Sequence, residues 1–301
     1  MQRKVIQLAR KTLVVSLPRK WVVKNQVEKG DSIEITEEDT KLTINTEKEL
    51  KLKKIVLDTK ELGHYDPLYI AYLYQEGTDE IIINYRDKEV YSEIQKKLPD
   101  LMGFEIIDQG ENFVKIKNIS GVLDQEFDNL LRRTFYIIEE MANSSIESIK
   151  SKNLERLKSI LALENSIDKF TDVCKRSLNK KGHTKQEKTV FYYVIIRDLE
   201  KIGDFYNELI KCYIERNSSI NKEIIELYEE TNKFFKLFHR LFYKFDKDDA
   251  TKFHKTKKKL GKKVEKLMKT AEKEELLTIF NLAGLIKMIG NLYGPYYLTT
   301  T

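Results

Sequence analysis

Arg197-Asp198-Leu199-Glu200-Lys201-Ile202-Gly203-Asp204-Phe205-Tyr206 is the stretch that decides how this chain folds. It lies inside a helical pattern that runs from about 187 to 215. Its glycine sits mid-helix, where it costs about 1 kcal/mol relative to alanine. A related stretch returns at Ile286-Lys287-Met288-Ile289-Gly290-Asn291-Leu292-Tyr293. The same Ile-Gly pair, with a Tyr in the same place, points to two sites where another helix comes close.

Working outward, apolar residues at Leu123, Phe127, Leu130, Leu131, Thr134, Ile137, Ile138 and Met141 follow helical spacing. Further helical patterns lie near 154–179, 187–215, 220–245, 248–271 and 273–294. Breaks fall at Asn179-Lys180-Lys181-Gly182, Asn217-Ser218-Ser219 and Lys244 to Asp249. Connections this short imply antiparallel neighbours. Val190 to Ile196 is apolar on every side, which places the third helix in the middle. The expectation is an all-α bundle over 120–301, built of two three-helix repeats.

The repeated stretch carries chemistry in its first copy. Glu200 and Asp204 are four residues apart and face one way. Glu164 and Asp168 repeat that spacing one helix earlier. Four carboxylates from two antiparallel helices suit a hard or borderline cation. Pairing with Arg197, Lys201 or Lys169 on a solvated face is the alternative. In the second copy Lys287 and Asn291 take the places of Glu200 and Asp204, and Gly261 and Glu265 those of Glu164 and Asp168. No metal is expected there; Lys287 would supply a fixed charge where the first half takes a cation.

The segment from Arg197 to Asp204 resembles the hallmark of the PhoU family, an acidic Leu-Glu-Arg-Ile-Gly-Asp-like motif in the third helix of a three-helix repeat. The resemblance covers about 121–297. It implies a regulator of phosphate uptake that binds a divalent or ferric metal ion at the first helical repeat. It also implies a phosphate ABC transporter ATPase or a sensor kinase as partner.

Residues 1–47 read differently. Val5, Leu8, Leu13 and Val15 alternate as short strands, and Pro18 closes them and opens a helical turn over Arg19 to Gln26. Lys29-Gly30-Asp31 is a turn, and Ser32 to Thr36 pairs with Lys41 to Asn45 around Glu37-Glu38-Asp39-Thr40. So few strands make a poor core, so a partner chain is expected. Arg3, Lys4, Arg10, Lys11, Arg19, Lys20, Lys24 and Lys29 are opposed only by Glu28. That local excess suits contact with DNA phosphates; surface decoration in a lysine-rich chain is the plainer reading. Arg3 to Gln7, Ser16-Leu17-Pro18-Arg19-Lys20-Trp21-Val22 and Lys29 to Ile35 resemble the AbrB/SpoVT/MazE family. The first loop, Leu8 to Thr12, lacks the glycine common there. The resemblance implies a swapped-hairpin homodimer whose basic face, Arg3, Lys4, Arg10, Lys11, Arg19, Lys20 and Lys24, grips DNA. Archaeal PhoU-like proteins join these two modules in this order.

Between them, 48–119 alternates β-α-β-α-β-β, a small α/β unit with no evident chemistry. A spacer or dimerisation role is the plain reading; a small-ligand sensor is the sharper one. The whole is a multidomain α+β chain of three parts.

Composition narrows the function. With 34% charged residues and a net charge of +6, the chain reads as folded and soluble. No run of about 18 apolar residues appears, so no membrane insertion is expected. Cys174 and Cys212 form no framework, which fits a reducing cytoplasm. There is no nucleophile–base set and no phosphate-cradling glycine loop, so an enzyme is not expected. Nine lysines between Lys252 and Lys269 make the fifth helix strongly basic. A solvated face, DNA phosphates or an acidic partner would each account for them. The favoured function is a dimeric DNA-binding regulator of phosphate uptake. A signalling adaptor that binds no DNA is the alternative.

Overall fold

A computed structural model describes residues 2–8, 11–38, 40–46, 52–62, 64–120, 126–216 and 221–300. Arg10, Asp39, Leu123, the break at Asn217-Ser218-Ser219 and the boundary expected at 47/48 lie outside the described residues. The chain divides into two compact units, Met1–Lys53 and Lys54–Thr301.

In the first unit, β1 (Ile6–Leu8) and β2 (Thr12–Val14) pair antiparallel, with Gln7 opposite Leu13. Pro18, at φ −63°, stands before α1 (Arg19–Lys24), where its missing N–H costs nothing. The helix ends at Lys24, short of Gln26. Gln26 adopts φ 52° and Gly30 φ 100°, the left-handed conformation a glycine takes freely. β3 (Ile33–Glu38) and β4 (Lys41–Thr46) form a second hairpin, with Glu38 opposite Lys41, so the strand runs further into the expected loop. No described residue of this unit is buried. Leu13 is 69% exposed, and Val5, Ile6, Leu8, Val23, Ile35 and Leu42 are likewise open.

The second unit opens with a four-stranded sheet. β5 (Lys54–Asp58) lies parallel to β6 (Glu80–Asn84), and β6 is followed across the sheet by β8 (Phe113–Asn118) and then β7 (Phe104–Gln109), both pairings antiparallel. A bulge falls between Ile106 and Asp108. Helices α2 (Leu68–Glu76) and α3 (Lys88–Lys97) supply Ile70, Tyr74, Val90 and Ile94 to a core with Ile81, Ile83, Val114 and Ile116. The element order is the one the sequence predicts.

Among the described residues seven helices follow: α4 (Phe127–Lys150), α5 (Leu154–Lys181), α6 (Thr189–Arg216), α7 (Lys222–Tyr243), α8 (Lys247–Thr270), α9 (Leu276–Asn291) and α10 (Tyr293–Thr300). Their apolar stripes merge into one large core. The last predicted helix is interrupted at Leu292, before Pro295. Residues 273–300 are long and apolar enough to cross a membrane by composition, yet half of their most apolar 18 residues are buried inside the unit. There Ile279, Leu282, Leu285 and Ile289 pack, and Tyr296 Oη donates to the Leu241 carbonyl at 2.6 Å. The two mid-helix glycines do sit at close approaches. A Cβ on Gly203 would come 3.0 Å from Ile167 on α5, and one on Gly290 would strike Lys257 on α8.

The α/β stretch shares its interior with α5. Val173 of α5 belongs to its core. Arg176, 2% exposed, donates from Nη1 to the carbonyls of Tyr74 (2.9 Å) and Thr78 (2.6 Å), and from Nη2 to Asp79 (2.7 Å). Lys180 reaches the same carboxylate at 2.6 Å, and Asn179 Nδ2 donates to the Gln75 carbonyl. The guanidinium also lies 5.0 Å from the Tyr74 ring centre. This shared interior is why the expected three parts become two units.

Removing one partner of a buried, hydrogen-bonded pair leaves a charge with no water to receive it. Asp79→Ala is therefore expected to lower unfolding stability by about 3–5 kcal/mol, read from urea titration. Arg176→Met with Asp79→Leu should recover much of that loss.

Candidate metal centre

Helix α5 starts where Asn153 caps it: its side chain accepts from Arg156 N. From there the 3.6-residue period brings Glu164 and Asp168 to one face, one turn apart. Asp204 arrives from α6, which packs alongside α5. One carboxylate oxygen from each of the three lies within 4.8 Å of the others. All three side chains are half-buried.

Glu200 lies close by but is otherwise engaged. Its Oε2 accepts from Thr171 Oγ1 at 3.1 Å and from the Lys175 ammonium. Lys175 is 4% exposed and also contacts Asp172 at 3.4 Å. Asp172 in turn accepts from Gln75 Nε2 of α2 at 2.8 Å. Lys201 Nζ is 2.7 Å from Asp204 Oδ2 on the solvent side. Of the four carboxylates singled out in the sequence, the structure groups three and ties the fourth to a buried lysine.

These charges press on one another. Burial pushes the Asp168 carboxyl up from its ordinary 3.8 to about 7, and Glu164, Glu200, Asp204 and Asp172 add to the rise. Glu164 is raised by burial and by Asp204. Asp172 is raised to about 6, mainly by burial, against the pull of Lys175. Lys175 holds its proton more tightly than usual: burial opposes its charge, but Glu200 and Asp172 outweigh that. A group of carboxylates that resists full ionisation has an unmet demand for positive charge. Glu164, Asp168 and Asp204 offer oxygen ligands only, which fits a divalent cation such as Mg²⁺, Ca²⁺ or Mn²⁺. Among the described residues this is the one such group.

Lys175 and the Arg176 clamp were not legible as site residues. Residues 171–178 are all buried although they include Asp172, Lys175, Arg176 and Ser177, and no local pattern in the sequence marks that burial. In the second half Lys287 is exposed.

Comparison with known proteins bears on this region. Residues 131–207 match the PhoU domain. A PhoU-like domain thus occupies part of this chain, and Glu164, Asp168 and Asp204 all lie within it. Among solved structures, the phosphate transport system regulatory protein PhoU from Streptococcus pneumoniae is similar. Sequence identity is 16%, the TM-score is 0.47, and the match covers 59% of this chain and 95% of that one. No curated protein matches the chain.

The raised Asp168 sets a pH dependence. A carboxyl whose folded-state pKa lies above its unfolded value contributes stability at low pH that is lost as pH rises toward the folded value. Between pH 3.8 and about 7 the metal-free protein should therefore lose this contribution. Asp168→Asn is expected to raise the metal-free melting temperature at pH 8 by a few degrees. A divalent cation should stabilise the parent protein but not this variant, and its apparent affinity should fall below pH 7. Calorimetry with and without chelator measures both.

Proposed function

We propose that this chain regulates phosphate uptake as a signalling adaptor, its helical unit engaging the ATPase of a phosphate transporter or an associated sensor kinase. The PhoU domain match over residues 131–207 carries this reading. The three-carboxylate group inside that match gives the unit a cation-dependent state. The polar run from Asp172 to Lys180 joins that group to the α/β sheet through Gln75, Thr78 and Asp79. A bound cation would relieve the repulsion around Asp168 and stiffen the seam between sheet and helices. A strain lacking the chain is expected to take up phosphate faster in phosphate-rich medium, and the full chain should restore restraint. Unchanged uptake would exclude the proposal. Asp168→Asn should restore it only partly.

A second reading, a dimeric DNA-binding regulator, has its own observation. Arg3, Lys4, Lys11, Arg19, Lys20 and Lys24 are all exposed in a unit whose described residues include none that is buried and many open apolar side chains. Such a unit needs a second surface, and a second copy arranged as a swapped hairpin would supply it while keeping the cations outward. Leu13→Asp with Leu42→Asp is then expected to convert a dimer into a monomer in light scattering. Neutralising Lys11, Arg19 and Lys20 should leave the dimer intact but flatten the salt dependence of any operator binding. A dimer unaffected by the apolar changes would remove this reading.

A further inference from the structure

Helix α8 carries lysines at a density that its own fold does not favour. Lys252, Lys255 and Lys259 stand at i, i+3 and i+7, and like charges at this spacing oppose helix formation. Ion pairs with α7 relieve the two ends of the row. At one end Arg240 meets Asp249; at the other Lys259 meets Glu230 and Lys263 meets Glu226 and Glu230. Between them stand Lys233 and Lys236 of α7 and Lys252 and Lys255 of α8. None of these four lies within ion-pair distance of a carboxylate among the described residues.

The four do not decorate a flat face. Two adjoining hollows, of about 270 and 530 Å³, share Lys252 and Thr256. One is walled by Lys233, Lys236 and Arg240 of α7; the other continues along α8 past Lys255 to Lys259. Asp248 at the rim is the one acid lining either hollow. Lys233 to Arg240 alone spans about 10 Å at the helical rise, longer than a single phosphate.

We propose that this groove binds a linear chain of condensed phosphates. A flexible anion with charge on every unit of its backbone can meet cations from both walls in turn. Other polyanions fit less well. A single-stranded nucleic acid stacks its bases on exposed aromatic rings, whereas Phe234 beneath the groove is fully buried. A bilayer requires apolar side chains that enter it, and Leu237 here is buried too. The binding would lift the lysine–lysine repulsion along α8 and cross-link α7 to α8. It is independent of the carboxylate group on α5 and α6.

The test uses the full chain and short-chain sodium polyphosphate, followed by calorimetry at two salt concentrations. Changing Lys233, Lys236, Lys252 and Lys255 together to Gln should weaken binding about tenfold or more. Changing Lys258, Lys262, Lys266 and Lys269 to Gln removes equal charge from the same helix outside the groove, and should weaken it by no more than about twofold to threefold at moderate salt. Circular dichroism of both variants confirms folding. An equal loss in the two variants would show diffuse charge attraction and overturn the proposal. So would tighter binding of polyglutamate, of a DNA duplex or of phosphatidylserine vesicles than of polyphosphate. Orthophosphate at the same phosphorus concentration is expected not to compete; full competition by it would likewise overturn the assignment of a chain.

Discussion

The second unit depends on one buried charge. Arg176 lies under the sheet with its guanidinium divided among two backbone carbonyls and Asp79, and Lys180 shares that carboxylate. A guanidinium stripped of water is tolerable only with its donors satisfied and its charge opposed. Meeting that demand fixes where α2 and β6 lie against α5. The sheet and the helices then share an interior through Val173. The same helix presents Asp168 about two turns earlier and Glu164 about three. Position at the carboxylate group and position at the sheet are thus two readings of one rigid rod.

That geometry ties the α/β stretch to the surroundings of the carboxylate group. Gln75 of α2 touches Asp172; Asp172 touches Lys175; Lys175 touches Glu200, beside the three-carboxylate group. Each link is a hydrogen bond between side chains with little solvent around them, where electrostatic effects are weakly screened. A change of charge at Asp168 is felt at Glu200 and so along the chain of contacts.

The helices were legible because amphipathic periodicity over 20 or more residues is a strong signal, and the merging of α5 with the sheet was not. Arg176 and Asp79 are 97 residues apart in sequence, and no local pattern joins them. Spacing placed Glu200 and Asp204 on one face of α6, but a single helix cannot tell which residue of its neighbour each one meets. Lys175 settles that, and a lysine reads from sequence as solvent-facing. The break at Leu292 was hidden by an apolar run that continues past it, although Pro295 marks the start of a new first turn. In the first unit, hairpins and turn residues were readable from alternation, Pro18 and Gly30. How that unit reaches stability was not, because none of its described residues is buried.

That last feature has a thermodynamic consequence. A segment stabilised by its own core unfolds at a temperature that is indifferent to dilution. For the first unit, with Leu13, Val23 and Leu42 open to water, any stability gained from a covering partner would grow with the logarithm of that partner's concentration. Were the covering partner a second copy, the two units of one chain would answer differently to dilution, the first losing stability and the second not.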